Sequence, residues 1–184
     1  VRQLFCNLPP MGDFAKPRQG MASSDDKRFV RFWVEIDRRK MGLNILDREG
    51  AKTSGKKWFP YDKGGLFRKW YGNNEFVVNW ANDGEEVLGY AASLYGSPTR
   101  TIKNIGHYFQ EGITWTAISS GNLSVRYSPV GHIFSNAGMK VFNSNHPELI
   151  QDLAFLNSKI AEYMISCLSQ TLNFDAGLIA RMPL

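Results

Sequence analysis

The sequence predicts an α+β fold: a twisted, mixed or antiparallel β body with loops, followed by a long C-terminal helix. Three observations predict it. Short runs of alternating apolar residues, separated by Gly, Asn and Pro, recur between residues 29 and 127. The last third changes to a helical period, with Leu149, Leu153, Leu156, Ile160, Tyr163 and Cys167 at 4-3-4-3-4 spacing. The hydrophobic share of 43% over 184 residues is enough to bury a core without disulfides or metals. One domain is expected, with a β-rich body over about 1–144 and a helical part over 145–184.

Val1 to Asp26 reads as irregular, with turns at Pro9-Pro10, Gly12 and Gly20. Phe29 to Ile36 reads as a strand, with Val30, Phe32, Val34 and Ile36 on one apolar face. The charged stretch from Asp37 to Lys57, broken by Gly42, Gly50 and Gly55, reads as a long loop with a short helical turn. Phe76 to Trp80 alternates as a strand. Ile113–Ala117 and Leu123–Tyr127 alternate likewise, and Ser120-Gly121-Asn122 between them suits a hairpin turn. Asn145 with Glu148 three residues on resembles a capping box, and Pro147 suits a first helical turn. A single helix of about 20 residues should follow.

The net charge of +5 fits a polyanionic partner without requiring one. Cys6 and Cys167 are too few and too far apart for a disulfide scaffold. With no secretory segment, a reducing bacterial cytoplasm is the natural setting. No stretch approaches the roughly 18 apolar residues of a membrane span, so no membrane partner is expected. Val1 at one end and Pro183-Leu184 at the other suggest a piece of something longer.

Chemistry concentrates in three places. Lys52 to Tyr71 holds Lys52, Lys56, Lys57, Lys63, Arg68 and Lys69 against one acid, Asp62, interleaved with Trp58, Phe59, Tyr61, Phe67, Trp70 and Tyr71. Cations neutralise phosphates, and aromatic planes stack on bases. A solvated basic loop over core aromatics is the competing reading. In Lys16-Pro17-Arg18-Gln19-Gly20 a stiffened turn would hold Arg and Gln outward, where they match guanine and adenine edges; an ordinary surface turn is the alternative. Gly112 to Gly121 offers Thr and Ser hydroxyls to phosphates or bases, or else is a plain hairpin with a wet face. His107, His132 and His146 lack metal-ligand spacing, so structural roles are expected and no metal site. Asp83, Glu85 and Glu86 are expected to face water. No catalytic constellation emerges from spacing.

Taken together, several segments resemble the non-catalytic half of PglX-type adenine-specific DNA methyltransferases of BREX phage-defence systems. They are Asp13–Ala22, Arg28–Trp33, Lys57–Gly65, Arg68–Gly72, Glu111–Trp115, Ser119–Gly121 and Ser124–Tyr127. Leu156–Lys159 and Thr171–Phe174 are similar to the end of target-recognition domains in TaqI-like enzymes and Type I specificity subunits. The resemblance covers nearly the whole chain and is most specific over Lys57–Tyr71.

It implies a target-recognition fold that clamps double-stranded DNA opposite a catalytic half, which flips the adenine. That half would transfer a methyl group from S-adenosylmethionine and so mark host DNA against phage. This chain lacks a Gly-rich cofactor turn, and Asn7-Leu8-Pro9-Pro10-Met11 is only a chance near miss to the Asn-Pro-Pro-aromatic run of adenine methyltransferases. No catalytic residue and no cofactor are therefore expected here. Expected partners are double-stranded DNA, the catalytic half of the parent enzyme and other BREX proteins. Lys56, Lys57, Lys63, Arg68 and Lys69 are expected on phosphates, and Arg18, Gln19, Thr114 and Ser119 near base edges. Lys16, Tyr71, Ser120 and Arg126 complete the expected DNA-binding set. Two other readings compete: an assembly module docking through the stripe from Leu149 to Cys167, and an independent nuclease.

Overall fold

The computed structural model describes residues 2–168 and 172–184. It is an α+β fold built on two four-stranded sheets. The first runs β1 (Lys16–Arg18), β8 (Gly138–Phe142), β5 (Gly112–Thr116), β6 (Val125–Ser128), antiparallel throughout. The second runs β2 (Val30–Phe32), β4 (Phe76–Asn79), β3 (Trp58–Asp62), β7 (Ile133–Phe134), antiparallel except for the parallel β3–β7 pair.

The period of two in the central strands decides what each face does. Ile113, Trp115, Val125 and Val141 face one side of the first sheet, where they form a core with α5 (His146–Leu156), α6 (Lys159–Leu168) and α7 (Ala176–Ala180). Buried Trp115 also donates its indole N–H to the Phe174 carbonyl at 2.7 Å. The second sheet builds its own core with α4 (Ala81–Tyr95), through Phe29, Phe59, Val78, Trp80, Val87 and Ala91. Thr114, Arg126, Ser128 and Lys140 lie on the alternate positions of the first sheet's strands and are all buried. The face expected to be wet is thus a polar seam between the sheets.

Several elements depart from the sequence reading. The N-terminal stretch is not wholly irregular: α1 (Arg2–Asn7) and β1 lie within it. Lys16-Pro17-Arg18 is an edge strand rather than a turn, a place where Pro costs no ladder bond. The strand read over Phe29–Ile36 shrinks to three residues between α2 (Asp26–Phe29) and a 3-10 turn at Trp33–Glu35. Phe32 and Val34 are exposed. The loop from Asp37 to Lys57 does contain its helical turn, as α3 (Arg48–Thr53). Helix α4 escaped notice because it opens on three left-handed residues, Asn82, Asp83 and Gly84, which read as a turn. Asn145 caps no backbone N–H; its amide donates to Glu148 at 2.8 Å.

The predicted C-terminal helix is two helices, broken at Asn157-Ser158. Asn157 turns its amide to the β body, accepting from the Val125 N–H at 3.2 Å and donating to the Val125 carbonyl at 3.0 Å. Ser158 then accepts from the Ala161 N–H at 3.1 Å and starts α6. The break changes the helical phase. Leu149, Leu153 and Leu156 stay buried, but Ile160, Tyr163 and Cys167 become exposed, while Ala161, Met164 and Ile165 face inward. The stripe's buried half is consumed by this chain's own core, so it is not a free docking face. Thr171, part of the resemblance, lies outside the described residues.

Asn157→Ala leaves the buried Val125 N–H without its partner, while the Val125 carbonyl keeps its bond from the Trp70 N–H. We expect a loss of about 1–3 kcal/mol, read as a lower urea midpoint with an unchanged slope. Unchanged stability would show that the break is held by Ser158 alone.

Candidate nucleic-acid interface

Residues 63–75 join β3 to β4 and carry the most exposed large side chains of the basic, aromatic tract. Leu66 is 79% exposed, Phe67 55%, Trp70 53% and Tyr71 65%, with Arg68 exposed among them. Exposed apolar side chains on an unbraced loop would collapse onto the surface; these are prevented from doing so by a hydrogen-bonded frame. The Gly65 N–H donates to the Thr116 hydroxyl at 3.1 Å, which donates back to the Gly65 carbonyl at 3.0 Å. Asn73 donates its amide to the Leu66 carbonyl at 2.9 Å. Trp70 takes a left-handed conformation, φ 74°, rare for a bulky residue. It is locked there by two ladder bonds to β6: its N–H to Val125 at 2.9 Å and its carbonyl from Tyr127 at 2.8 Å.

Two cations brace the loop from beneath. Arg126, 1% exposed, donates through Nη1 to the Arg68 carbonyl at 3.3 Å and to the Ser124 carbonyl at 3.4 Å. Burial pulls its pKa down, against the opposing pull of Asp62 and Glu75. Its Nε makes no hydrogen bond. Lys69 donates to the Asn157 carbonyl at 2.7 Å, at the C-terminal end of α5, where a cation suits both the unpaired carbonyls and the helix dipole.

The seam sets the loop's starting point. Asp62, at the end of β3, is 2% exposed. It accepts from Ser128 Oγ at 2.6 Å and from His132 Nδ1 at 2.9 Å, with Lys140 Nζ at 3.6 Å. Lys140 is itself fully buried and also bonds Ser128 at 2.7 Å and the Gln110 carbonyl at 2.8 Å. Burial alone would raise the Asp62 pKa, yet His132 and Lys140 hold it well below the usual carboxylate range. Burial pulls the Lys140 pKa down, and Asp62 opposes that. Gly138 lets the strands approach: a Cβ there would sit 2.2 Å from the Asp62 carbonyl oxygen.

The expected DNA-binding residues do not gather into one surface. Arg68, Lys69, Tyr71, Ser119, Ser120 and Arg126 belong to the loop or to the connected strands β5 and β6. Thr114 is on β5 too, but it is buried with its hydroxyl on the Met139 carbonyl at 3.0 Å, so it and Arg126 face inward. Ser119 is half-buried, its oxygen accepting from the Gly121 N–H, and Ser120 is exposed. Lys63 is paired with Asp26. Lys56 and Lys57 precede β3 at its far end, about 20 Å from Lys63 at the usual rise per residue. Lys56 donates to the Arg39 carbonyl at 2.7 Å, and Lys57 lies 4.0 Å from Glu86. Lys16, Arg18 and Gln19 lie on or just after β1, two strands away from β5. Lys16 and Gln19 are exposed, and Arg18 bonds the Pro17 carbonyl at 3.0 Å. The carboxylates expected to face only water are engaged: Glu86 binds Arg28 at 2.9 Å, and Asp83 holds Arg48 and the Trp80 indole.

The buried set Asp62, Ser128, His132 and Lys140 went unread as a site. Its one signal was the small or polar character of alternate positions in three separate strands. Among the described residues no group of His, Cys, Asp and Glu is placed to hold a metal, and no helix is long and apolar enough to cross a membrane. In the passage from β4 into α4, a Cβ on Gly84 would meet the Trp80 ring at 2.7 Å, so that glycine accommodates the core.

Compared with known proteins, the chain is similar to one segment of adenine-specific methyltransferases. It is 40% identical over 167 residues, 91% of its length, to the adenine-specific methyltransferase PglX of Lacticaseibacillus casei (strain Zhang). It is 39% identical over 181 residues, 97% of its length, to the adenine-specific methyltransferase BrxX of Escherichia coli O9:H4 (strain HS). The matched segment is 14% of each of these proteins. No family model matches the sequence.

Asp62→Asn leaves Lys140 buried without a counter-charge, and breaking a buried pair in this way costs about 3–5 kcal/mol at neutral pH. Because the folded-state pKa is depressed, the carboxylate's contribution is complete above about pH 4, the unfolded-state value, and is lost as pH falls below it. Urea unfolding at pH 7 and pH 3 should show the gap between wild type and variant narrowing in acid. A constant gap would mean that Asp62 acts through shape and hydrogen bonds rather than charge.

Proposed function

We propose that this chain recognises double-stranded DNA for an adenine-specific methyltransferase of a bacterial BREX phage-defence system. In this reading the methyl transfer, with its S-adenosylmethionine, belongs to a catalytic part outside this sequence. One observation carries the reading: the braced loop of residues 64–72 presents Leu66, Phe67, Arg68, Trp70 and Tyr71 to solvent on a frame of seam and strand hydrogen bonds. A monomer gains nothing by holding such side chains out. A nucleic-acid surface needs apolar and aromatic planes for base edges and steps, and an arginine for a phosphate or guanine.

Relatives named as adenine-specific methyltransferases support DNA as the partner. Arg68 and Tyr71 are the contacts the geometry favours. Ser120 is exposed in the connection after β5, next along from Ser119, and belongs with them. Lys69 and Arg126 act indirectly, by fixing the loop, and Thr114 by tying β5 to β8. Lys16 and Gln19 are exposed at the opposite edge of the first sheet and reach DNA only if the duplex runs across its end.

Replacing Arg68 and Tyr71 together with Ala should weaken binding to unrelated duplexes by about tenfold or more. The slope of log affinity against log salt should fall by about one, for the single cation removed. Both residues are exposed, so the melting temperature should stay within a degree or two. Fluorescence anisotropy at two salt concentrations reads these outcomes, and full affinity in the variant would remove the loop from the interface.

A further inference from the structure

A pocket of about 430 Å³ opens beside the loop, with Tyr71 in its wall. It lies on the outer face of the second sheet, away from the core shared with α4. Trp33, Tyr71 and Phe76 supply aromatic surface, and Trp33 is 52% exposed. Polar groups are few: the amide of Asn74, the guanidinium of Arg38 and the imidazole of His132. No carboxylate lines it. Arg38 begins the basic run Arg38-Arg39-Lys40, in which Arg39 is ion-paired with Asp37 and, among the described residues, Arg38 forms no salt bridge. An apolar, aromatic chamber of this size with few convergent polar groups is the usual form of a small-ligand site.

His132 narrows the ligand. Its Nδ1 is bound to Asp62, which the seam keeps ionised, so Nδ1 carries the proton. Nε2 enters no hydrogen bond among the described residues, and it belongs to a side chain that lines the chamber. It offers one hydrogen-bonding position to the edge of a heterocycle, accepting from an N–H in the neutral ring and donating to a ring nitrogen or carbonyl in the imidazolium. A planar ring for Trp33 and Tyr71, a hydrogen-bonding edge for Nε2 and Asn74, and an anion for Arg38 together describe a nucleotide. A peptide side chain offers the ring without the anion.

We propose that this pocket receives the base of a single nucleotide unstacked from the DNA strand that the loop contacts, with its phosphate at Arg38. The proposal rests on the DNA-recognition reading and adds to it a site for one extrahelical base. Leu66 and Phe67, exposed on the braced loop, are the apolar side chains available to fill the space such a base leaves.

The test uses three probes on the chain: a fully paired duplex, the same duplex with one unpaired 2-aminopurine nucleotide, and deoxyadenosine monophosphate as competitor. The bulged duplex should bind about tenfold more tightly than the paired one at equal salt, the gain expected from one base–aromatic stack. The 2-aminopurine emission should be quenched on binding. Trp33→Ala should abolish the preference and the quenching while leaving paired-duplex affinity within about twofold, and Trp33→Phe should restore both. Displacement of the bulged duplex by the mononucleotide would assign the pocket to nucleotides generally; failure to displace it would assign it to a strand-borne base. Equal binding of both duplexes with unchanged emission overturns the pocket and leaves the DNA reading standing. Binding of neither duplex overturns both.

Discussion

A single carboxylate ties the molecule together. Asp62 sits at the end of β3 in the second sheet, and its partners come from the first sheet and from the turn before β7. An ionised group buried this deeply is tolerated only when charge and hydrogen bonds converge on it. Ser128, His132 and Lys140 satisfy that requirement in one geometry. Apolar cores accept many packings of the right volume; this seam does not. A one-residue slip of β8 would carry Lys140 out of the seam and put Met139 in its place, leaving Asp62 with a hydrophobe.

The loop inherits its order from the same seam. Its first residues follow Asp62 directly, and Arg126 reaches from the seam's strand β6 to hold the Arg68 carbonyl. The frame thus couples the most buried charges among the described residues to a row of exposed apolar side chains, Leu66 the most exposed of them. Recognition surfaces gain affinity when the ordering of side chains is completed on folding rather than on binding. The left-handed backbone of Trp70 shows that order here is imposed by the frame and is not a local preference of the residue.

Much of this architecture was legible. The alternation in Ile113–Ala117 and Leu123–Tyr127 marks the β5–β6 hairpin, and the leucines after Asn145 mark α5, because these signals are local. Breaks that depend on distant partners were not. Nothing near Asn157 announces that its amide will bind Val125, 32 positions earlier, so one stripe became two helices with different outward faces. The seam was hidden for the same reason: Asp62, His132 and Lys140 are separated by up to 78 positions and look like isolated polar residues. The basic tract was visible as composition, but its division was not, since that depends on where Asp26 and Glu86 fall.

That division bears on how the surface works. Lys63 is matched by Asp26, Lys57 and Arg28 by Glu86, Arg48 by Asp83 and Arg39 by Asp37. A protein held to DNA by a blanket of charge would leave such cations unmatched, since each released counterion adds to affinity whatever the sequence. Here several are matched before any partner arrives, and the side chains left free are largely planes and wedges on a rigid loop. On the proposed DNA-binding reading, such a surface would give up non-specific attraction and gain discrimination, because aromatic and apolar groups reward a matching groove or step and offer little to a bare phosphate backbone. The net charge of +5 already counts these matched pairs as cancelled, so the excess rests on cations outside them. What the fold concentrates at one place is shape.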